Sequence, residues 1–568
     1  MTTLPRLQFN VSHVRGTRRP ELCLPVLALA LAACTPLRLA PADTVLRRHA
    51  VFVGSQGNAK HALTETEATT RDVSTDEPMS NAEYRAYVDS IIATIRADTS
   101  DTVLIYIHGG RVGLKDGAEQ SAALRPAIRA SNYYPLFIVW DASQWTSLGW
   151  HLGRYHRGLD YRGVGRFVMP PFTLTSDLVM AVGRSPFTLG HQLADICRGA
   201  MRIGRHGGRP SDASCPLVGP DREERKRLQP IETVTRAGAV AARGQARGQM
   251  VQAPQPGGAT IDSMVVSWGE YHLPWYDATY RGLTSVLYLP IKFPLGVVVD
   301  GLGSGAWDDM VRRTTAMFRP GEELRGSDPS GLPPARRPSG AVGVLMEALQ
   351  KMAADDAAAP RPREWRFILA GHSMGAIVAN RILREYPNLP VIRIQYLAPA
   401  SSISDIETSV IPYLRRRTDA TFLLGTLQPF AEAGELQSPK PIGLLADVFV
   451  PRGSLLEWID DYFENSRSPF DRRAGKWRNI ALGFHLFPDS VRARVTIKSF
   501  GVGDSLDAGT PFFRHPARHG EFNKPELRFW CRDFWNVTRQ GNTRPATFSV
   551  LEAKRAIQPS QPGCTPPR

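Results

Sequence analysis

Ser373 stands between two glycines in the pentapeptide Gly371-His372-Ser373-Met374-Gly375, directly after the apolar run Phe367 to Ala370 and directly before a helix-forming stretch that reaches Leu383. A serine hydroxyl at its ordinary pKa is a weak nucleophile, so it must be presented, held rigid and paired with a base. A sharp strand-to-helix turn meets the first two needs by lifting the serine above the edge of a sheet in a strained backbone conformation. Glycine is needed on both sides, because a larger side chain at 371 or 375 would strike the adjoining helix or strand. The same turn aims the unpaired amides of the helix start, beginning with that of Met374, at negative charge forming beside the hydroxyl. The chemistry this arrangement serves is attack on a carbonyl carbon.

The elements around the pentapeptide alternate between strands and helices. "TVLIYIHGG" (101–110 region) and "YYPLFIVWDAS" are near-continuous apolar, β-branched and aromatic runs, as strands buried on both faces should be. "VIRIQYLAP", "TFLLGTLQ" and "ARVTIKSFG" repeat the pattern after the pentapeptide, and "DSMVVSWGEY" offers a further strand. "SNAEYRAYVDSIIATIRA" begins with a capping serine and carries Tyr87, Ile91, Ile92 and Ile95 at helical spacing. "GAWDDMVRRTTAMF", "GAVGVLMEALQKMAADD" and "ISDIETSVIPYLRRR" read as further helices. This alternation predicts an α/β fold with a mostly parallel central sheet and helices on both faces. Ser285 to Gly303 approaches the length of a membrane span, but Lys292, Asp300 and two prolines argue against a lipid-exposed crossing. It reads as a core segment or as a lid over an apolar pocket.

The pentapeptide in its strand-turn-helix setting resembles the nucleophile motif of the α/β-hydrolase family of esterases and lipases, over roughly residues 100–160 and 300–540. The resemblance implies an α/β-hydrolase fold over 80–545 with a large cap or lid insertion at about 150–300, and a tail over 546–568. It implies Ser373 as nucleophile. "HGGRVG", His108 to Gly113, matches the family's HGG-type loop, so amides at Gly109 or Gly110 would join that of Met374 in an oxyanion hole. The base is expected after the final strand, where His519, next to a glycine and ahead of a Phe/Trp-rich stretch, is favoured over His515. The acid falls to Glu432, with Asp405, Asp504, Glu435, Asp460 and Asp461 as alternatives. No metal or organic cofactor has a motif in the chain.

The N-terminus has an arginine-rich start (Arg15, Arg18, Arg19), then the short apolar run "LCLPVLALALAAC", and reads as an export signal over 1–34. Leu31-Ala32-Ala33-Cys34 resembles the bacterial lipobox, which implies lipidation at Cys34, a tether and peripheral segment over 35–79, and a place on the periplasmic side of the envelope, at the outer membrane. Setting aside Cys23 and Cys34, four cysteines are left, and Cys197 with Cys215 and Cys531 with Cys564 are the nearest pairs for disulfides in an oxidising compartment. The net charge of +15 comes mostly from scattered arginines, with no basic stripe interleaved with aromatics. That pattern speaks against nucleic acid as a partner, and fits a solvated surface or an anionic lipid surface. The expected activity is that of a serine esterase or lipase acting on a lipid or small-molecule ester. An acyltransferase using the same residues, or a catalytically silent lipid- or partner-binding lipoprotein, are the alternatives.

Overall fold

Short runs rich in Val, Ile, Leu and aromatics, mostly buried on both faces, form the strands of the computed structural model. The structure describes residues 41–61, 78–153, 168–186, 289–320, 339–427, 453–464, 468–482, 486–500 and 518–535, with short pieces at 38–39, 63–64, 155–156, 159–160, 265–267, 432 and 516. In chain order β1 (Ala50–Val53), α1 (Asn81–Ala97), β2 (Thr102–Ile107), α2 (Leu114–Ala130), β3 (Tyr134–Trp140) and α3 (Gln144–Gly153) come first. A helix over 168–186, α4, precedes β4 (Val265–Ser267) and α5 (Leu289–Ala316). The rest is α6 (Ala341–Ala357), β5 (Arg366–His372), α7 (Gly375–Glu385), β6 (Val391–Leu397), α8 (Ile403–Arg416), β7 (Thr421–Leu427) and β8 (Val495–Phe500).

The eight strands form one sheet in the order β1-β3-β2-β5-β6-β7-β8-β4. Every pairing in it is parallel, which makes this an α/β fold. From β2 the chain steps one way to β3 and then back across to β5, so the order reverses between β2 and β5, which are neighbours. Open parallel sheets bind ligands beyond the carboxyl ends of the strands at such a reversal. Right-handed crossovers place α2 on one face and α1, α7 and α8 on the other. In keeping with this, α1 packs on α6 and α7 packs on α8.

Local signals fix the helix ends. Ser80 and Glu83 form a capping box at α1, and Ser402 and Asp405 form another at α8. The buried face of α1 is Tyr84, Val88, Ile91, Ile92 and Ile95, close to the apolar set expected from its spacing.

Three features differ from the sequence reading. Ala50–Val53 falls within the stretch read as peripheral, yet it is fully buried and pairs with β3. Four residues flanked by His49 and Gly54 are too short a run to stand out in a sequence. The region read as a core segment or lid, ending at Gly303, and the helix after it are one continuous helix, α5, with Pro294 inside its first turns. As the sixth residue, Pro294 withholds the N–H that would bond to the Pro290 carbonyl, yet the helix continues past it; Pro290, at the second position, costs no such bond. Val265–Ser267 is the strand expected within "DSMVVSWGEY"; what differs is its place, since from inside the expected insertion it pairs with β8 and extends the main sheet. Among the described residues, no helix is long and apolar enough to cross a membrane.

After β8 the chain returns over the face that carries α2. Phe529 packs against Tyr106 of β2 with ring centroids 5.3 Å apart. Gln395 of β6 donates to the Phe529 carbonyl at 3.3 Å, Lys498 of β8 donates to the Phe534 carbonyl at 2.9 Å, and Trp530 Nε1 donates to Ser131 Oγ at 2.9 Å. Phe529, Trp530 and Trp535 are buried, each burial contributing roughly 2–3 kcal/mol. Cys531 in this segment is disulfide-bonded, and the other cysteines, including Cys34, lie outside the described residues. This return carries His519 to the end of β5.

Candidate active site

Ser373 follows the last residue of β5 with φ of +50°, a left-handed conformation that non-glycine residues seldom adopt. The turn is held on both sides: Ser373 N–H donates to the Leu397 carbonyl of β6, and the Ser373 carbonyl accepts from Ala400 N–H, each at 2.9 Å. The flanking glycines are sterically required. A Cβ on Gly375 would lie 2.2 Å from the Ile107 carbonyl oxygen of β2, and one on Gly371 would lie 2.8 Å from the Ala376 nitrogen. Both clashes are the ones expected from the sequence, with a strand on one side and a helix on the other.

Ser373 Oγ lies 2.9 Å from Nε2 of His519. The histidine opens a short 3-10 turn, His519–Glu521, and the two residues are 146 apart in sequence. Serine is 1% exposed and the histidine 7%, so the hydroxyl is enclosed where the sequence predicted presentation to solvent. Burial, then the neighbouring His372 and the Arg111 guanidinium, hold the His519 imidazole well below its ordinary pKa. The ring is therefore neutral at neutral pH and able to accept a proton.

Two further histidines shape this pair. His372 Nε2–H donates to the His519 backbone carbonyl at 3.0 Å, and the two rings lie 5.4 Å apart. His108 Nδ1–H donates to the Gly109 carbonyl at 2.9 Å while its Nε2 accepts from Trp140 N–H at 3.0 Å. Burial lowers the pKa of both rings from 6.5 to about 4. Sequence reading passed over both; the only signal was their place beside the glycines of the two motifs.

The loop after β2 lies directly over the serine. A Cβ on Gly109 would lie 2.8 Å from Ser373 Cβ, and one on Gly110 would lie 2.7 Å from the Met374 sulfur. Arg111, at φ of +68°, turns the loop back, with its N–H donating to Ala142 at 2.7 Å and Ala142 N–H donating to Val112 at 3.0 Å. The residue before Ala142, Asp141, is gripped by the buried Arg313 of α5 at 3.0 Å, and Arg313 also pairs with Asp309 at 2.7 Å. Thus α5 braces the loop from outside. Among the described residues, the amides of Gly109, Gly110 and Met374 enter no hydrogen bond within the protein.

Compared with protein-family models, curated proteins and solved structures, the chain matches none of them. What can be said of its chemistry comes from the site itself.

The candidate carboxylates fall in different places. Asp405 caps α8 and lies 3.6 Å from Arg384. Asp460 accepts from Arg473 N–H at 2.9 Å and from Asn479 at 2.6 Å, and pairs with Lys476 at 3.2 Å. Glu432, 1% exposed, follows β7 and takes a hydrogen bond from the Ser454 hydroxyl, while its carbonyl accepts from Ser454 N–H at 2.9 Å. Asp461 follows Asp460 in a short turn of π-helix. Glu435, Asp504 and His515 lie outside the described residues. A cavity of about 470 Å³ beside α7, lined by Arg381, Arg384 and Arg473 among others, does not include Ser373. No cluster of three or more His, Cys, Asp or Glu able to hold a metal occurs among the described residues.

Proposed function

We propose that the protein is a serine hydrolase that cleaves carboxylic esters, including those of lipids, through an acyl-enzyme. The observation that carries this reading is the 2.9 Å approach of Ser373 Oγ to His519 Nε2 on a serine held at φ of +50°. His519 Nε2 takes the hydroxyl proton as Oγ bonds to the ester carbonyl carbon, and the carbonyl π pair moves onto its oxygen. The amides of Met374 and of Gly109 or Gly110 stabilise that oxyanion, a contribution of about 3 kcal/mol for each well-placed donor. The carbonyl then re-forms, the bond to the alkoxide breaks, and the His519 imidazolium returns its proton to the departing alcohol. Water, deprotonated by the same nitrogen, attacks the acyl-serine, and the carboxylic acid leaves as Oγ regains a proton.

The reading includes an α/β-hydrolase fold with a cap built on residues from about 150 to 300. It takes Glu432 as the acid that orients His519: it is a buried carboxylate beyond the C-terminal end of a sheet strand, whereas Asp405 and Asp460 are committed to a cap and to cations. It also includes export and lipid anchoring at Cys34. No step needs a metal or an organic cofactor.

A fluorophosphonate probe tests the catalytic claim. The full chain should label covalently, and Ser373→Ala should not. A folded wild-type chain that stays unlabelled would leave the silent-lipoprotein reading in its place, and an acylated alcohol or amine among the products would mark an acyltransferase. Palmitate incorporation that persists in Cys34→Ala would remove the anchor.

A further inference from the structure

Helix α4 is built inside out. Its buried residues include Thr173 and Asp177, and Asp177 pairs with His151 Nε2 of α3 at 2.7 Å, with both side chains buried. Two turns further on, Arg184 reaches Asp300 of α5 at 2.5 Å and Ser304 Oγ at 3.0 Å. The opposite side is apolar and open: Val168 is 50% exposed, Phe172 65%, Val179 65% and Val182 60%. These four recur at helical spacing and form one stripe. Val298 on α5 is 41% exposed as well. A surface helix in water does the reverse, turning apolar residues to the core and polar ones outward.

Two details suit this face to an apolar medium. Thr175, which lies in the same stripe, turns its hydroxyl back to the Pro171 carbonyl at 2.7 Å, so the stripe presents no unspent hydroxyl there. The contact between α4 and α5 is made by buried polar groups and by close approach at Gly301, where a Cβ would lie 3.3 Å from Leu178. Polar bonds and small residues are how helices associate when the surroundings are as apolar as the side chains.

Charge identifies the surroundings. The protein carries a net charge of +15, and in sequence α4 is flanked by Arg154, Arg157, Arg162 and Arg166 on one side and by Arg198, Arg202, Arg205 and Arg209 on the other. A strongly basic chain that exposes an uncharged apolar stripe favours the surface of an anionic bilayer. No described helix is both long and apolar enough to cross a membrane, and a helix with one apolar and one polar face lies in the interface. We propose that the face formed by Val168, Phe172, Val179 and Val182 seats on an anionic lipid bilayer, independently of any acyl anchor and of the hydrolase activity.

Flotation with phospholipid vesicles tests this, using the full chain carrying Cys34→Ala so that lipidation cannot contribute. It should float with phosphatidylcholine vesicles that contain phosphatidylglycerol, and less with phosphatidylcholine alone. Adding Phe172→Glu and Val179→Glu should weaken binding about tenfold or more. The milder Phe172→Trp should shift its emission to the blue on adding these vesicles and be quenched by brominated lipid. Flotation unchanged by the glutamates, or an indole that ignores the vesicles, would overturn the proposal. So would a large fall in melting temperature for the glutamate variant, which would mean the chain's own residues cover the stripe, or a dimer in sedimentation that the glutamates dissolve, which would assign it to a second copy.

Discussion

The imidazole of His372 donates from Nε2 to the backbone carbonyl of His519 at 3.0 Å, so the residue before Ser373 fixes the main chain of His519. Ser373 and His519 are thereby tied twice, once through Oγ and once through this neighbouring ring. His372→Leu should lower kcat about 10- to 100-fold with KM little changed, because a small misplacement of a reacting group costs on that order. His372→Gln keeps a donor near the same place and should restore most of the rate. Equal loss in both variants would reduce the contact to packing.

Gly109→Ala and Gly375→Ala separate chemistry from folding. The added methyl at 109 meets Ser373 Cβ at 2.8 Å and His372 Nδ1 at 2.9 Å, at the mouth of the proposed oxyanion site. Turnover should drop by about 100-fold or more, with a loss of stability of about 1 kcal/mol as the loop shifts to admit the methyl. At 375 the methyl meets the backbone of β2 at 2.2 Å, which neither strand nor helix can yield easily. There the expected result is a loss of about 1–3 kcal/mol or more in urea unfolding.

Glu432→Gln tests the acid. An amide cannot stabilise the imidazolium, and kcat should fall by roughly 100- to 10,000-fold at unchanged labelling stoichiometry. A wild-type rate in this variant would pass the role to another carboxylate. The neighbouring Ser454 gives a graded companion, since Ser454→Ala removes one hydrogen bond to Glu432 and should cost less.

Acid should destabilise the protein through its buried histidines. His108 and His372 have folded-state pKa values near 4 against 6.5 when unfolded. Above pH 6.5 both states hold these rings neutral and nothing changes. As pH falls from 6.5 toward 4, the unfolded chain takes up protons that the folded one refuses, and stability declines by up to about 1.4 kcal/mol per pH unit for each ring. Urea midpoints across this window should show the slope, and His372→Gln should reduce it. For the same reason the acid limb of kcat/KM should lie below pH 6.5, since His519 is depressed in the same direction.

Local order was legible in the sequence wherever one residue type decides the backbone. The strand runs at 102–107, 134–140, 391–397, 421–427 and 495–500, the capping serine of α1, and the two glycines about Ser373 all sit where composition and spacing predicted. Less could be read where an element is brief or its context is distant. β1 is four residues long, and α5 joins two segments whose compositions differ, so neither announced itself.

By itself the sequence determined that a serine would stand strained between glycines at the end of a buried strand, because steric exclusion acts over a few neighbouring residues and leaves no other choice. Only the tertiary structure decided which histidine reaches that serine, which ring holds that histidine's backbone, and that α4 turns its polar side inward. Those outcomes depend on contacts between residues far apart in the chain. The aromatic return over β2, β6 and β8 and the Arg313 brace arise from packing across the sheet, which no local pattern encodes.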